Sequence, residues 1–238
     1  MEQLELERIA EEFLRSSDST YTECAHGIAT LDRVIVSVSS TLAPQTRAAL
    51  LPTLYAYWER FFKTVFSEYV RCVGTTTIPA ERFCEMILKF RLKGEVTAGL
   101  KARNATTTNE LIARVTTQET RAHFRQLHDL FVAPLSFLNP TDWVRTGSNV
   151  SYSVLQDNCA NLGLSIDDIK RHLEPATILF RSLNQFVRDR NAIAHGENIG
   201  PVSSDTWEEQ RTFVLQLMNA VQLSLYESMR DPQKILRP

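Results

Sequence analysis

An all-α fold, a helical bundle, follows from three features of this 238-residue chain. Apolar residues recur mostly at spacings of three and four, no convincing run of alternating apolar and polar residues marks a strand, and eight glycines with nine prolines leave long segments uninterrupted. A hydrophobic fraction of 43% at this length supplies a proper core, so the chain reads as one helical domain over 1–238 with a loop or insertion near 94–117.

The elements follow in order. Leu4, Ile9, Phe13 and Leu14 predict a first helix ending near Ser16, and a second runs from about Ser19 through Ile28, Leu31, Ile35 and Val38. Pro44 suits the first turn of a third, whose wide apolar face holds Leu51, Leu54, Tyr55, Trp58, Phe61, Phe62, Val65, Phe66 and Tyr69 and extends to Val73. Pro52 inside that pattern predicts either a later start or a bend. Pro79 opens a helix through Phe83, Ile87, Leu88 and Phe90, a polar stretch covers 94–109, and 118–131 reads as a further helix before Pro134. Turn residues fill Ser136 to Val150, with Asn139-Pro140 and Gly147-Ser148-Asn149. Short helices near Val154–Asn161 and Ile166–His172 follow, then two long antiparallel C-terminal helices, Ala176–His195 and about Ser204–Met229, expected to form a hairpin. Ser203 or Ser204 with Glu208 has the look of a helix N-cap.

Composition excludes several functions. A net charge of −2 gives no global positive field of the kind that draws nucleic acid without regard to sequence, so any RNA contact has to be local. Cys24, Cys72, Cys84 and Cys159 form no C-x-x-C pair and the N-terminus is acidic, which predicts a reduced, cytoplasmic protein. No apolar run reaches the roughly 18 residues of a membrane span. His26, His123, His128 and His172 lack a His-Glu-x-x-His arrangement or cysteines at ligand spacing, so no metal and no cofactor is expected; there is no glycine-rich phosphate loop and no Gly-x-Ser-x-Gly elbow.

One stretch carries chemistry: Arg188-Asp189-Arg190-Asn191-Ala192-Ile193-Ala194-His195-Gly196-Glu197. On a helix Asn191 and His195 share a face, Arg188 lies two turns before His195 on nearly the same line, and Arg190 sits to one side. A histidine that moves protons beside guanidinium groups that hold phosphate oxygens can cut RNA without a metal. Gly196 ends the helix at the histidine, and the small residues before it allow close helix packing. Arg121 with His128 repeats the bare spacing, without such surroundings. The plainer account makes Arg188 and Arg190 surface charges and His195 a cap. Glu59 and Lys63, one turn apart, are either support for the site or a helix-surface ion pair. Lys89, Arg91, Lys93, Lys101 and Arg103 make the most basic region, a solvated surface or an RNA-backbone contact.

Arg190-Asn191-Ala192-Ile193-Ala194-His195 resembles the Arg-x(4–6)-His motif of the HEPN superfamily, often written with Asn directly after Arg, and Ala-His-Gly-Glu continues as in several prokaryotic branches. Tyr57-Trp58-Glu59-Arg60-Phe61-Phe62-Lys63, and Ser148-Asn149-Val150-Ser151-Tyr152 before a short helix ending in Asn-Leu-Gly-Leu, look like the ribonuclease-like HEPN proteins of bacterial defence and toxin systems. The likeness covers roughly residues 40–230 and is strong at 184–197. It implies a metal-independent endoribonuclease whose motif is assembled across a two-fold homodimer, with RNA as substrate and an antitoxin or defence-system protein as a further partner. Under that resemblance His195 moves the proton of the attacking 2′-hydroxyl or of the leaving oxygen, Arg190 steadies the phosphate, and a 2′,3′-cyclic phosphate results. In the branch regulated by AMP transfer a tyrosine stands two residues after the histidine; Glu197 stands there in this chain, so the likeness does not extend to that regulation. A non-catalytic helical interaction module and a nucleotide-binding module are the rival readings.

Overall fold

A computed structural model of the chain describes residues 1–79, 82–83, 144–147, 149–175, 177–197 and 200–236. The expected helix at 118–131, the loop or insertion near 94–117 and the basic residues Lys89, Arg91, Lys93, Lys101 and Arg103 lie outside the described residues. The protein is an all-α helical bundle, and among the described residues the sole extended pairing is an isolated antiparallel bridge between Phe83 and Leu236. The helices are α1 (Glu2–Ser37), α2 (Ala43–Gly74), α3 (Tyr152–Asn161), α4 (Ile166–Lys170), α5 (Leu179–Ala194), α6 (Ser204–Arg230) and α7 (Pro232–Ile235). None of the described helices is long and apolar enough to cross a membrane.

The two helices expected at either side of Ser16–Ser19 are one. Ser17 donates its hydroxyl to the Leu14 carbonyl at 3.1 Å and Thr20 to Ser16 at 3.4 Å, so these polar side chains bond back onto their own helix instead of breaking it. Asp18 accepts a hydrogen bond from Gln222 on α6, a partner more than two hundred residues away that no local pattern reveals. Helix α2 starts at Ala43 with Pro44 in its first turn and carries Pro52 without ending, because the helix is held on its apolar face. That face, Trp58, Phe61, Phe62, Val65, Phe66 and Tyr69, is wholly buried and forms the axis of the core. Each such side chain contributes on the order of 1.5–3 kcal/mol by leaving water. Helix α1 crosses α2 at Gly27, where an added Cβ would lie 2.4 Å from the Tyr57 ring.

Helix α6 packs on α1, α2 and α4, whereas α5 packs on α2 and α3. The expected hairpin is therefore not two helices lying against each other along their length; both use α2 as their common wall. The connection explains this, since the Val202 N–H donates to the Pro44 carbonyl at 3.1 Å and the Arg47 guanidinium donates to the Val202 carbonyl at 2.8 Å. The linker is thus tied to the start of α2. Among the described residues a side-chain bridge joins the two C-terminal helices, from the Gln210 amide to Asp189 at 2.8 Å.

Candidate functional site

The buried stripe of α5 is Leu179, Leu183, Phe186 and Val187, at the spacing of a helix face. Continued by one turn, it reaches Arg190 and Asn191. Arg190 is accordingly the arginine that turns inward. Its guanidinium carbon lies 5.1 Å from the centre of the Tyr55 ring, and its Nη1 donates to the Asn191 side-chain oxygen at 3.0 Å. Its Nε is buried and has no hydrogen-bond partner among the described residues. No carboxylate pairs with it among the described residues, although a partly buried charge is ordinarily paired.

Arg188 turns the other way. It is exposed and donates to the Gln185 side chain at 2.7 Å, so the line through Arg188, Asn191 and His195 anticipated from spacing does not gather those three groups. Asp189, between the two arginines, accepts from Gln185 at 2.6 Å and from Gln210 at 2.8 Å and forms an ion pair with neither arginine.

His195 is the C-cap of α5 and is exposed, and its ring has no hydrogen-bond partner among the described residues. The helix stops there for a local reason. Gly196 takes φ +75°, its N–H donates to Ile193 at 3.0 Å, and the Glu197 N–H donates to Ala192 at 2.9 Å. These two bonds are the Schellman arrangement, which satisfies otherwise unpaired carbonyls and calls for a residue tolerant of positive φ. The histidine is thus delivered at a fixed end of a fixed helix, about one turn beyond Arg190.

The platform under Arg190 belongs to α2 and to the segment before α3. The Tyr55 hydroxyl accepts from the Val150 N–H at 2.6 Å, and the Trp58 indole donates to the Val150 carbonyl at 3.2 Å. Both polar groups of this buried residue are therefore satisfied by aromatic side chains one turn apart on α2. Burial raises the Tyr55 hydroxyl to about 12 against the lowering effect of the Val150 N–H, with the Glu59 charge raising it and Arg190 lowering it. The ring also meets Phe186 at 5.8 Å. Next in the chain, the Tyr152 N–H donates to the Asn184 side chain on α5 at 3.2 Å, and buried Asn158 on α3 donates to the carbonyls of Arg145 (2.7 Å) and Val154 (2.7 Å) while accepting from the Arg145 N–H (3.0 Å).

Glu59 and Lys63 form an ion pair of 2.7 Å on the surface of α2, with Lys63 half exposed. Neither touches Arg190 or His195 through a hydrogen bond among the described residues. Lys89, Arg91 and Lys93 fall outside the described residues. Sequence reasoning assigned Tyr55 to the core and passed over Asn158. The signal for Tyr55 was available in part, because a tyrosine inside a continuous apolar helix face needs a partner for its hydroxyl. No group of three or more His, Cys, Asp or Glu among the described residues is placed to hold a metal ion.

The sequence model of the RiboL-PSP-HEPN family matches residues 36–227, from the end of α1 to the last turns of α6. No curated protein and no solved structure gives a match.

Proposed function

The chain belongs to the RiboL-PSP-HEPN family, and from that membership we propose that it is a metal-independent endoribonuclease acting through Arg190, Asn191 and His195. The observation that carries this reading is the Arg190 guanidinium. It is partly buried, braced by Tyr55 and Asn191, without a carboxylate among the described residues, and a turn away from an exposed histidine. An anionic ligand completes such a group, since a guanidinium fits phosphate oxygens with two parallel N–H donors.

In the proposed reaction the 2′-oxygen of a ribose attacks the adjacent phosphorus and the bond to the 5′-oxygen of the next nucleotide breaks. His195 takes the proton from the 2′-hydroxyl or gives one to the departing 5′-oxygen, the proton-transfer roles open to an imidazole. Arg190 stabilises the charge that builds on the non-bridging oxygens. The products are a 2′,3′-cyclic phosphate and a 5′-hydroxyl. Acid and base duties are shared between the two copies of His195 in a homodimer, which suits a side chain presented at the exposed end of a helix. A setting in bacterial defence or a toxin–antitoxin pair, with a neutralising protein partner, belongs to the same reading. Arg188 adds long-range attraction for the RNA backbone, and Lys89, Arg91 and Lys93 supply further phosphate contacts.

The test is cleavage of a labelled single-stranded RNA by purified full-length protein in EDTA. Wild type cuts and leaves cyclic phosphate ends, while Arg190→Ala and His195→Ala do not cut. Normal cutting by either variant, or loss of cutting in EDTA, overturns the mechanism. Light scattering on the same sample reads the dimer.

A further inference from the structure

We infer that Tyr55 is a positioning residue for the site: its ring is the seat that fixes the Arg190 guanidinium. This rests on the reading of Arg190 as the phosphate-binding group. The ring lies 5.1 Å below the guanidinium carbon, which is the geometry of a cation held over an aromatic face. The seat itself is immobilised on two sides, by the Val150 N–H on the hydroxyl at 2.6 Å and by Phe186 against the ring at 5.8 Å. Val150 is in turn held through its carbonyl by Trp58 at 3.2 Å. Asn191 fixes one terminal nitrogen of the guanidinium at 3.0 Å. Ring and amide together set both the plane and the rotation of the group, and the buried Nε has no partner among the described residues. With Nε closed off from solvent and Nη1 held by Asn191, Nη2 is the donor that meets a phosphate.

A guanidinium placed this way is ordered before RNA arrives, and because its bonds to the phosphate tighten as charge builds on the oxygens, that order acts on the transition state more than on bound RNA. Removing the ring leaves the charge in place and frees its orientation. The signature is a fall in kcat with KM little changed in protein whose folded fraction, read by circular dichroism, equals that of wild type, because loss of active protein alone also lowers apparent kcat without moving KM.

The experiment compares Tyr55→Leu, Tyr55→Phe and Phe13→Leu in the full-length protein with a labelled single-stranded RNA. Phe13 is a fully buried aromatic set against Tyr69 at 6.0 Å, and Tyr69 lies about 21 Å further along α2 than Tyr55. Tyr55→Leu lowers kcat about tenfold with KM nearly constant, the size of a desolvated cation–π contact. Tyr55→Phe keeps the ring and restores most of the rate, and Phe13→Leu cuts at the wild-type rate. A second readout needs no cleavage: the Nε–H resonance of Arg190 in ¹⁵N-arginine protein, assigned by its loss in Arg190→Lys, moves in Tyr55→Leu and stays in Phe13→Leu. If Tyr55→Leu does not fold, Tyr55→Met takes its place. An unmoved Arg190 resonance in the ringless variant overturns the inference, as does an equal loss of rate in Phe13→Leu. A moved resonance in a protein that cuts no RNA supports the seat and sinks the nuclease reading.

Discussion

Gly196→Ala isolates the backbone device that presents the histidine. The Cβ it adds meets nothing within 4 Å, so packing contributes no penalty and the whole effect comes from φ, which is +75°. A non-glycine residue in that region costs about 1–2 kcal/mol. The site is the exposed end of α5, so the chain can escape by unwinding the last turn, giving up the Gly196–Ile193 and Glu197–Ala192 bonds of 3.0 and 2.9 Å. Two surface hydrogen bonds are worth about 1 kcal/mol each, so escape costs about 2 kcal/mol and the net loss, set by the cheaper route, is about 1–2 kcal/mol. Thermal unfolding then falls about 2–8 °C for a protein of this size. Gly196→Asn loses less, because asparagine tolerates positive φ better than alanine. Amide exchange at residues 195–197 quickens in Gly196→Ala, and RNA cleavage drops further than stability does, since His195 stands on that turn. Wild-type melting and exchange in Gly196→Ala, or an asparagine variant no better than the alanine one, would refute the reasoning.

Other perturbations test the supports of the site. Asn158→Leu fills similar space but abolishes three hydrogen bonds of 2.7, 2.7 and 3.0 Å and strands both backbone groups of Arg145, so urea denaturation shows a loss of about 3 kcal/mol; a loss under about 1 kcal/mol contradicts the clamp. Glu68 is held below its ordinary value near 4.5 chiefly by its hydrogen bond to Arg71. Its stabilisation is therefore complete above that value and disappears as pH falls through the lower folded one, so urea midpoints drop less steeply with acid in Glu68→Gln than in wild type. Parallel slopes in the two proteins count against this pair.

The elements whose causes are local were legible in the residues. Ser203 caps α6 through the Thr206 N–H at 3.0 Å, and Gly196 stops α5. The apolar face of α2 was readable as the central core helix for the same reason, a period set by backbone geometry alone. Glu208, read as part of the α6 cap, pairs with Arg211 instead. The break expected at Ser16–Ser19 failed because serine and threonine offer two outcomes locally, and α6 decides between them by supplying Gln222 to Asp18.

The candidate site divides the same way. Its residue types, order and helix-terminal histidine stand in the one-dimensional text, because proton transfer and phosphate binding require particular side chains at particular spacings. The chain also encoded which arginine faces inward, since the stripe through Leu179, Leu183 and Phe186 runs on to Arg190, but a line drawn through polar residues alone picks Arg188. The seat beneath Arg190 was decided only by folding: Tyr55, Trp58 and Val150 meet across more than ninety residues, and their bonds exist only when α2 and the segment before α3 are brought together. Periodicity and caps act over a few residues and can be read off a string, whereas satisfying a buried amide or orienting a buried charge depends on whatever the rest of the chain places beside it.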